Sequence, residues 1–486
     1  MTWDRRELLG ALGIGSASTL LAAFGCGGRR GPVERAAAVE QTRAEVRTWL
    51  RDAVARLAAV YPQVHALAVM RRRTVAAIDV LGTGVARTRR DGVVLAVRDA
   101  KGSWREQVTS ELTQNGIATA VRALVGDSTR RATLGGLGAP PRSPPEPREL
   151  DERELYNRVD AIGRLDTSRN SRIVYAASLI DVEDCHVWSI GPAHDREQRL
   201  VHVRKRITRA AWHGARPAIG EAERAYIGGI DDQALDGTLV SSATLTALEP
   251  MTPGALDDQE RDVVLEPSVT ASLVDAGTRA LLTSAAARRV EAARRMATGQ
   301  SVAAPLLTLV DDPTARGAYG GFQFDDEGEP AAPVTLVDSG RVVAVLADRA
   351  GGGRGRGRRP GHVGMVEPSP SHLRIVHGTA AHESLRGDGV ILEGGLGAVI
   401  DASTNRIVIG AARARETKAG KLTGRVYADV ELVGDLGALL GSVTGVAEDV
   451  AVTAYRDDSG GEPRWRSIEA PYLRARGLVR ARRRRA

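Results

Sequence analysis

DVVLEPSVTASLVDAGTRALLTSAAARR, from Asp262 to Arg289, is a short apolar run followed by a helix, and the chemistry of that helix governs the reading of the whole chain. Leu273 is followed by Val274, Asp275, Ala276, Gly277, Thr278 and Arg279, a stretch without histidine or cysteine. A zinc ion takes His, Cys or carboxylate donors at about 2 Å. Valine has no lone pair and arginine stays cationic, so among these positions only Asp275 has a donor to offer. Asp275 and Arg279 stand four residues apart on one helical face, which predicts an ion pair between them. Ser268 and Ser272 lie close by, but no histidine is near in sequence to activate either as a nucleophile.

Beyond this helix the chain is rich in β-type runs joined by Gly-containing turns, with a short helix near Leu436. The pattern predicts a β-rich carboxy-terminal domain over 256–486 with a curved or barrel-like sheet. Upstream, Val46, Leu50, Val54 and Leu57 recur at helical spacing across Glu34 to Ala59. His65 to Ala100 reads as short β runs separated by Gly and Asp turns, and Ser110 to Val125 as a helix. Together they predict an amino-terminal α/β domain over 36–134. GGLGAPPRSPPEPR (Gly135 to Arg148) reads as a linker, 135–149, because proline removes backbone donors and favours extended chain. A middle α/β region, 150–255, follows: a helix from Leu150 to Ile162, strands over Ile173 to Ile190 and Leu200 to Trp212, and a helix over Asp232 to Leu248. The fold class is therefore α+β, an α/β amino-terminal portion followed by a β-rich domain.

With 486 residues and 43% hydrophobic content the chain can bury a large core in two or three domains. Aromatics are 3%, so that core must be built from Val, Leu, Ile and Ala. A net charge of +7 is modest for this length. The basic runs GGGRGRGRRP (Gly351 to Pro360) and Arg482 to Arg485 read first as solvated segments. They carry no interleaved aromatics for base stacking, which disfavours nucleic acid as a partner.

The first residues make a separate point. MTWDRRELLGALGIGSASTLLAAFGCGG pairs Arg5 with Arg6 ahead of a Gly/Ala/Leu-rich run that is short for a spanning helix. A twin arginine in this position reads as an export signal, 1–26, followed by a tether, 27–35. Ala23-Phe24-Gly25-Cys26 loosely resembles a lipobox, with Cys26 as the lipidated thiol. The expected location is the cell envelope or periplasm, with a lipid anchor to the membrane; the alternative is a cytoplasmic protein with a retained amino-terminal segment. With Cys26 acylated only Cys185 remains, so no internal disulfide is expected. Cys185 reads as a buried strand residue, and its neighbour His186 points to the opposite face of the strand.

Two further constellations have plain readings. His382-Glu383 superficially resembles a zinc motif, but Arg386 and Gly387 stand where a second ligand would be needed. Asp325, Asp326 and Glu327, followed by Gly328, read as a solvated hairpin tip rather than a calcium loop.

Four stretches in one order resemble the TldD/PmbA family, the "modulator of DNA gyrase" metallopeptidases. They are the Asp262 to Arg289 segment, GGFQFDDEGEPAAPVTLVDSGRVVAVLADRA (Gly320 to Ala350), HESLRGDGVILEGGLGAVIDASTNRIVIGAARARE (His382 to Glu416), and IEAPYLRARGLVRAR (Ile468 to Arg482). In active members of the family a strand ending in Pro leads into a helix reading roughly Leu-Leu-His-Glu-x-x-x-His. The resemblance places the two histidine positions on Val274 and Arg279 and the glutamate position on Asp275. Active relatives also use a late cysteine; this chain has none after Cys185, and the equivalent stretch, Tyr455 to Arg466, offers Asp457 and Asp458.

The resemblance thus implies a pseudo-enzyme of the PmbA (TldE) branch, without catalytic residues or cofactor of its own. It would be a peptide-binding partner of a TldD-like metal-bearing subunit, or a dimer with itself, in proteolysis. Zinc is then expected only in the partner, and the ligand is an unfolded or extended peptide. In the family the Gly-rich loop after the Asp-Arg strand end lies near the cleft, which makes Asp348, Arg349, Arg354, Arg356, Arg358 and Arg359 candidate peptide or anion contacts. The alternatives are an active peptidase with an unrecognised site, or a basic envelope module binding nucleic acid or an anionic polymer.

Overall fold

The computed structural model describes residues 33–79, 82–135, 152–164, 172–213, 216–252, 255–289, 298–348, 357–358, 367–401, 403–457 and 464–482. Arg5, Arg6 and Cys26 lie outside the described residues, as do Arg349, Arg354, Arg356, Arg359 and Asp458. Among the described residues no helix is long and apolar enough to cross a membrane.

The amino-terminal half is organised by one antiparallel sheet of six strands: β1 (Gln63–Asp79), β2 (Gly82–Arg98), β3 (Trp104–Thr109), β4 (Ile173–Gly191), β5 (His194–His213) and β6 (Arg216–Ile227). Their order is β3-β2-β1-β4-β5-β6. β1 pairs with β4 from Ala66↔Ile190 to Ile78↔Ser178, so one sheet joins the segments 36–134 and 150–255; residues 136–149 of the expected linker lie outside the described residues. The stretch from His65 to Ala100 is one long hairpin instead of several short runs. Asp91 and Gly92, which read as a turn, sit mid-strand opposite Met70 and Val69. Pairing along both edges of β1 satisfies its backbone throughout, and that outweighs the local turn preference of two residues.

Four helices cover this sheet: α1 (Val33–Ala58), α2 (Gln114–Val125), α3 (Glu152–Arg164) and α4 (Gly237–Leu248). The predicted stripe Val46, Leu50, Val54 and Leu57 is buried against Ala66, Val93, Leu95, Ile117 and Trp188. α2 starts where the Thr113 hydroxyl accepts from the Gly116 amide, and α4 where Asp236 accepts from Leu239. Each such cap contributes about 1 kcal/mol.

The carboxy-terminal half is built on a ten-stranded sheet. Its principal strands are β7 (Gln259–Leu265), β14 (Gly389–Asp401), β15 (Arg406–Lys418), β16 (Lys421–Asp435), β17 (Gly445–Asp457) and β18 (Arg464–Ala481). β14, β15, β16 and β18 are successive neighbours, and β7 pairs with β14 on one side and β18 on the other, so five strands close into a ring. The barrel-like body read from the sequence is therefore present. β8 (Leu309–Asp311), β9 (Val334–Asp338), β10 (Arg341–Val342) and β13 (His372–Ile375) extend the sheet beyond β18, while β11 (Gly357–Arg358) and β12 (Glu367–Pro368) form a separate pair.

The helix of the opening motif, α5 (Pro267–Leu281), packs on β14 and β18. Its residues Val269 and Leu273 join Leu265, Leu392, Ile409, Leu432 and Leu473 in the principal core, all fully buried. Each of these leucines contributes about 1.5–3 kcal/mol through burial. Two short helices, α6 (Ser284–Arg289) and α7 (Leu436–Gly441), complete the described structure.

Candidate functional site

The entry to α5 is fixed by its own sequence. Glu266 takes the cap position in extended conformation, Pro267 occupies the first turn, and the Glu266 carboxylate accepts from the Ser268 hydroxyl (2.6 Å) and the Gly394 amide (3.0 Å). Ser268 Oγ in turn accepts from the Gly395 amide at 2.7 Å. Gly394 and Gly395 form the start of a bulge in β14, and a Cβ on Gly395 would overlap the Ser268 carbonyl. The bulge is what lets β14 approach the helix end so closely.

From that anchored start, Ser272, Asp275 and Arg279 share one face of the helix. Arg279 Nε donates to Asp275 Oδ2 at 3.0 Å, as the spacing predicts. A second guanidinium converges on the same carboxylate: Arg466 Nε lies 2.8 Å from Asp275 Oδ1 and Arg466 Nη2 lies 3.4 Å from Oδ2. Asp275 and Arg466 are each 4% exposed, so this pair is desolvated. Arg466 also faces Asp457 Oδ2 at 3.7 Å and lies over the Tyr455 ring at 5.9 Å. Both oxygens of the helix's carboxylate are therefore held by cations.

Ser272 has no base beside it. Its hydroxyl donates to the Ser268 carbonyl at 3.0 Å and meets the Tyr455 hydroxyl at 3.3 Å. Burial pushes Tyr455 up to about 12, so at neutral pH the phenol keeps its proton and does not draw one from Ser272.

A second charged cluster joins the six-stranded sheet to the carboxy-terminal body beside this face. Arg456 Nη2 donates to Glu183 Oε2 at 2.9 Å, and Arg71 Nε lies 3.3 Å from Glu183 Oε1. Burial pushes the Glu183 carboxyl up while the two guanidiniums pull it down. The His202 ring stacks on Trp465 at 3.9 Å between centroids, and Arg71 lies over the same indole. β17, which carries Tyr455 to Asp457, pairs as a ladder only with β18 among the described residues, and its stretch Glu448–Val452 is exposed.

The other candidates fall elsewhere. Asp348 is buried, with Arg288 donating to both of its oxygens (3.0 and 2.6 Å) and Ser284 Oγ at 3.3 Å. That carboxylate is part of a structural pair and is not presented to a ligand. Of the basic loop, the backbone of Gly357–Arg358 is described, in the β11–β12 pair. His382 stands in a short 3-10 turn, with Nδ1 2.9 Å from Asp449 and Nε2 3.0 Å from Glu383. These three are the one group of potential metal donors brought together among the described residues. His382 also stacks on Tyr472, and its hydrogen bond holds Asp449 below the usual carboxylate range. The cluster differs from the α5 face in being largely exposed, and its three side chains are joined by the His382 ring nitrogens.

The reading of Asp325–Gly328 as a solvated tip is overturned. The turn is docked on the first sheet: Asp325 and Glu327 are buried, Gln198 bonds to the Phe324 carbonyl and Gln323 amide, and Arg196 donates to the Gly328 carbonyl. Burial pushes the Asp325 carboxyl up to about 8. Cys185 is buried with Leu200, Tyr319 and Trp465, and burial raises its thiol, while His186 bonds Glu197.

Sequence reasoning named Asp275, Arg279 and Asp457 but missed Arg466 and the Glu183 cluster. Asp275 and Arg466 are 191 residues apart, and no local pattern marks such a pair. Nothing in β18 marked Arg466 as buried, since the strand also carries Arg464, Glu469, Arg474, Arg476 and Arg480.

Comparison with known proteins matches residues 258–481 to the PmbA/TldA metallopeptidase C-terminal domain. A metalloprotease of Methanocaldococcus jannaschii is 29% identical over 162 residues, 31% of this chain and 35% of that protein. A TldD metalloprotease homologue of Haemophilus influenzae is 23% identical over 169 residues, 33% of each. The chain thus matches about a third of the length of these relatives. Among solved structures, a protein described as a modulator of a DNA gyrase from Thermotoga maritima superposes with a TM-score of 0.71 at 14% identity, covering 91% of this chain and 100% of that one. TldE from Thermococcus kodakarensis gives 0.65 at 13% identity, covering 92% and 100%. The fold is shared along nearly the whole chain, and residues 258–481, the ring of strands around α5, match the carboxy-terminal domain of the PmbA/TldD metallopeptidase family.

Proposed function

We propose that this chain is a non-catalytic member of the family that has lost the His-Glu-x-x-x-His metal site. In this reading it binds extended peptide in proteolysis and works beside a metal-bearing TldD-type subunit or as a dimer with a second copy. The observation that carries the proposal is the state of Asp275, the one carboxylate at the three motif positions: Arg279 and Arg466 engage both of its oxygens. Val274 beside it has no donor atom, and two guanidiniums would repel a divalent cation. This donor set does not fit zinc, so zinc is expected only in the partner.

Peptide binding is supported by the free edge of β17. Beyond Glu448, whose amide donates to the Ala380 carbonyl, the exposed edge carries Val450 and Val452, and the strand leads directly to Tyr455, Arg456 and Asp457 at the charged face. An unpaired edge can add an extended peptide as a further strand, with backbone hydrogen bonds giving affinity and little sequence preference. Export through Arg5 and Arg6 and anchoring at Cys26 belong to the same proposal and place the complex at the cell envelope.

The test is fluorescence anisotropy of labelled, unfolded casein fragments with the purified chain, followed by electrophoresis of the fragments. Saturable binding without cleavage, unchanged by a chelator, is the expected result. Cleavage that a chelator abolishes would overturn the proposal.

A further inference from the structure

On the side of α5 turned away from Arg466, the helix borders a cavity of about 240 Å³. Leu273, Gly277 and Leu281 form its floor, with Leu436, Leu440 and Leu473 opposite, and it reaches the surface beside the exposed Gln300 and Ser301. No charged residue lines it. Gly277 keeps part of the space open: a Cβ there would stand 3.7 Å from the methyl carbons of Leu436, so the neighbouring backbone does not require glycine. A glycine inside a helix costs about 1 kcal/mol relative to alanine, a cost with no structural return at this position.

Two polar groups on the cavity wall are unsatisfied. Thr278 is 2% exposed and its hydroxyl has no hydrogen-bond partner; the same holds for the buried Asn405 Oδ1. Two other helical threonines bond back to a carbonyl of the preceding turn, Thr48 to Ala44 and Thr244 to Val240. Thr278 does not. A buried polar group left alone costs about 1–3 kcal/mol, and two around one apolar space mark a place where a polar atom belongs. Asn405 holds a left-handed backbone (φ 60°), and its carbonyl accepts from the Leu436 amide, which fixes it at the cavity rim.

We propose that this cavity is a binding site for a small neutral amphiphile, an alkyl chain ending in a hydroxyl or primary amide. Its head bonds to Thr278 Oγ1 and Asn405 Oδ1, and its chain lies between Leu273, Leu440 and Leu473. A cavity of ~150 Å³ already accepts benzene, so a medium-length alkyl chain fits the volume present here. The absence of any cation on the wall selects against a carboxylate head. The site is independent of the Asp275 face and of what that face binds.

The test is isothermal titration calorimetry of the full chain with 1-octanol and with octanoate at neutral pH. Expected are one saturable site for octanol and binding of octanoate at least tenfold weaker. Thr278→Val, which keeps the shape and removes the hydroxyl, should weaken octanol about fivefold, the worth of one neutral hydrogen bond. Gly277→Leu, which fills the space, should abolish binding. No saturable octanol binding by the unmodified chain would leave only water as occupant and overturn the proposal. So would octanoate binding as tightly as octanol, or affinity unchanged in Thr278→Val.

Discussion

Arg466 and Asp275 meet at 2.8 Å in the carboxy-terminal core, a permanent cation closing on the one carboxylate of the α5 motif from a strand 191 residues away. Removing Arg466 leaves the buried Asp275 carboxylate with the half-exposed Arg279 as its one remaining cation, which costs about 3 kcal/mol. Arg466→Met should therefore shift the urea unfolding midpoint strongly downward. Arg466→Met combined with Asp275→Leu should recover most of the loss, because neither charge is then left behind. A double mutant no more stable than the single one would show that the pair is not coupled.

The Gly395 approach to Ser268 gives a local test of how α5 is seated. Gly395→Ala drives a methyl group into the Ser268 carbonyl and should destabilise the chain by roughly 2 kcal/mol. Gly434→Ala is the control, since nothing stands within 4 Å of the added carbon. Equal thermal midpoints for the two variants would contradict the close packing of β14 on the helix.

Asp325 predicts a pH dependence with a defined sign. Its carboxyl ionises near 3.8 in an open chain and at about 8 in the fold, where burial opposes the charge. Between those values the folded protein keeps a proton that unfolding releases, so this contribution to stability is complete below 3.8 and is lost as pH rises through about 8. The slope from one such group is at most about 1.4 kcal/mol per pH unit. Urea midpoints should fall from acid to mildly alkaline pH, and Asp325→Asn should flatten that fall. A variant with an unaltered pH profile would contradict the assignment.

Glu183 and Arg456 tie the six-stranded sheet to the carboxy-terminal body at 2.9 Å. Arg456→Met leaves Glu183 buried with Arg71 alone and should cost about 3 kcal/mol. Limited proteolysis should then cut the variant faster than the parent chain; an unchanged cleavage rate would mean that the contact does not hold the two halves together.

Much of the fold was legible because its signals are local. The helix stripe Val46, Leu50, Val54, Leu57 and the strand beginning at Ile173 fall where spacing and composition place them. The Asp275–Arg279 pair was legible for the same reason, being one helical turn. What escaped depends on distant partners. Asp91 and Gly92 are turn formers that a paired β1 holds in a strand, and Asp325 looks like a solvated tip until Gln198 and Arg196 dock it. The ring closes because β18 meets β7 more than two hundred residues away, a relationship that no periodicity encodes. At the candidate site the missing donors at Val274 and Arg279 could be read from the sequence, whereas the arrival of Arg466 could not.

The metal content of the purified chain decides between a silent subunit and an enzyme. Elemental analysis should find well below one zinc per chain after dialysis against zinc and then buffer, and stoichiometric zinc only when a histidine-bearing partner co-purifies. One tightly held zinc per isolated chain, together with chelator-sensitive cleavage of peptides, would contradict the assignment of Asp275 to a closed pair of guanidiniums.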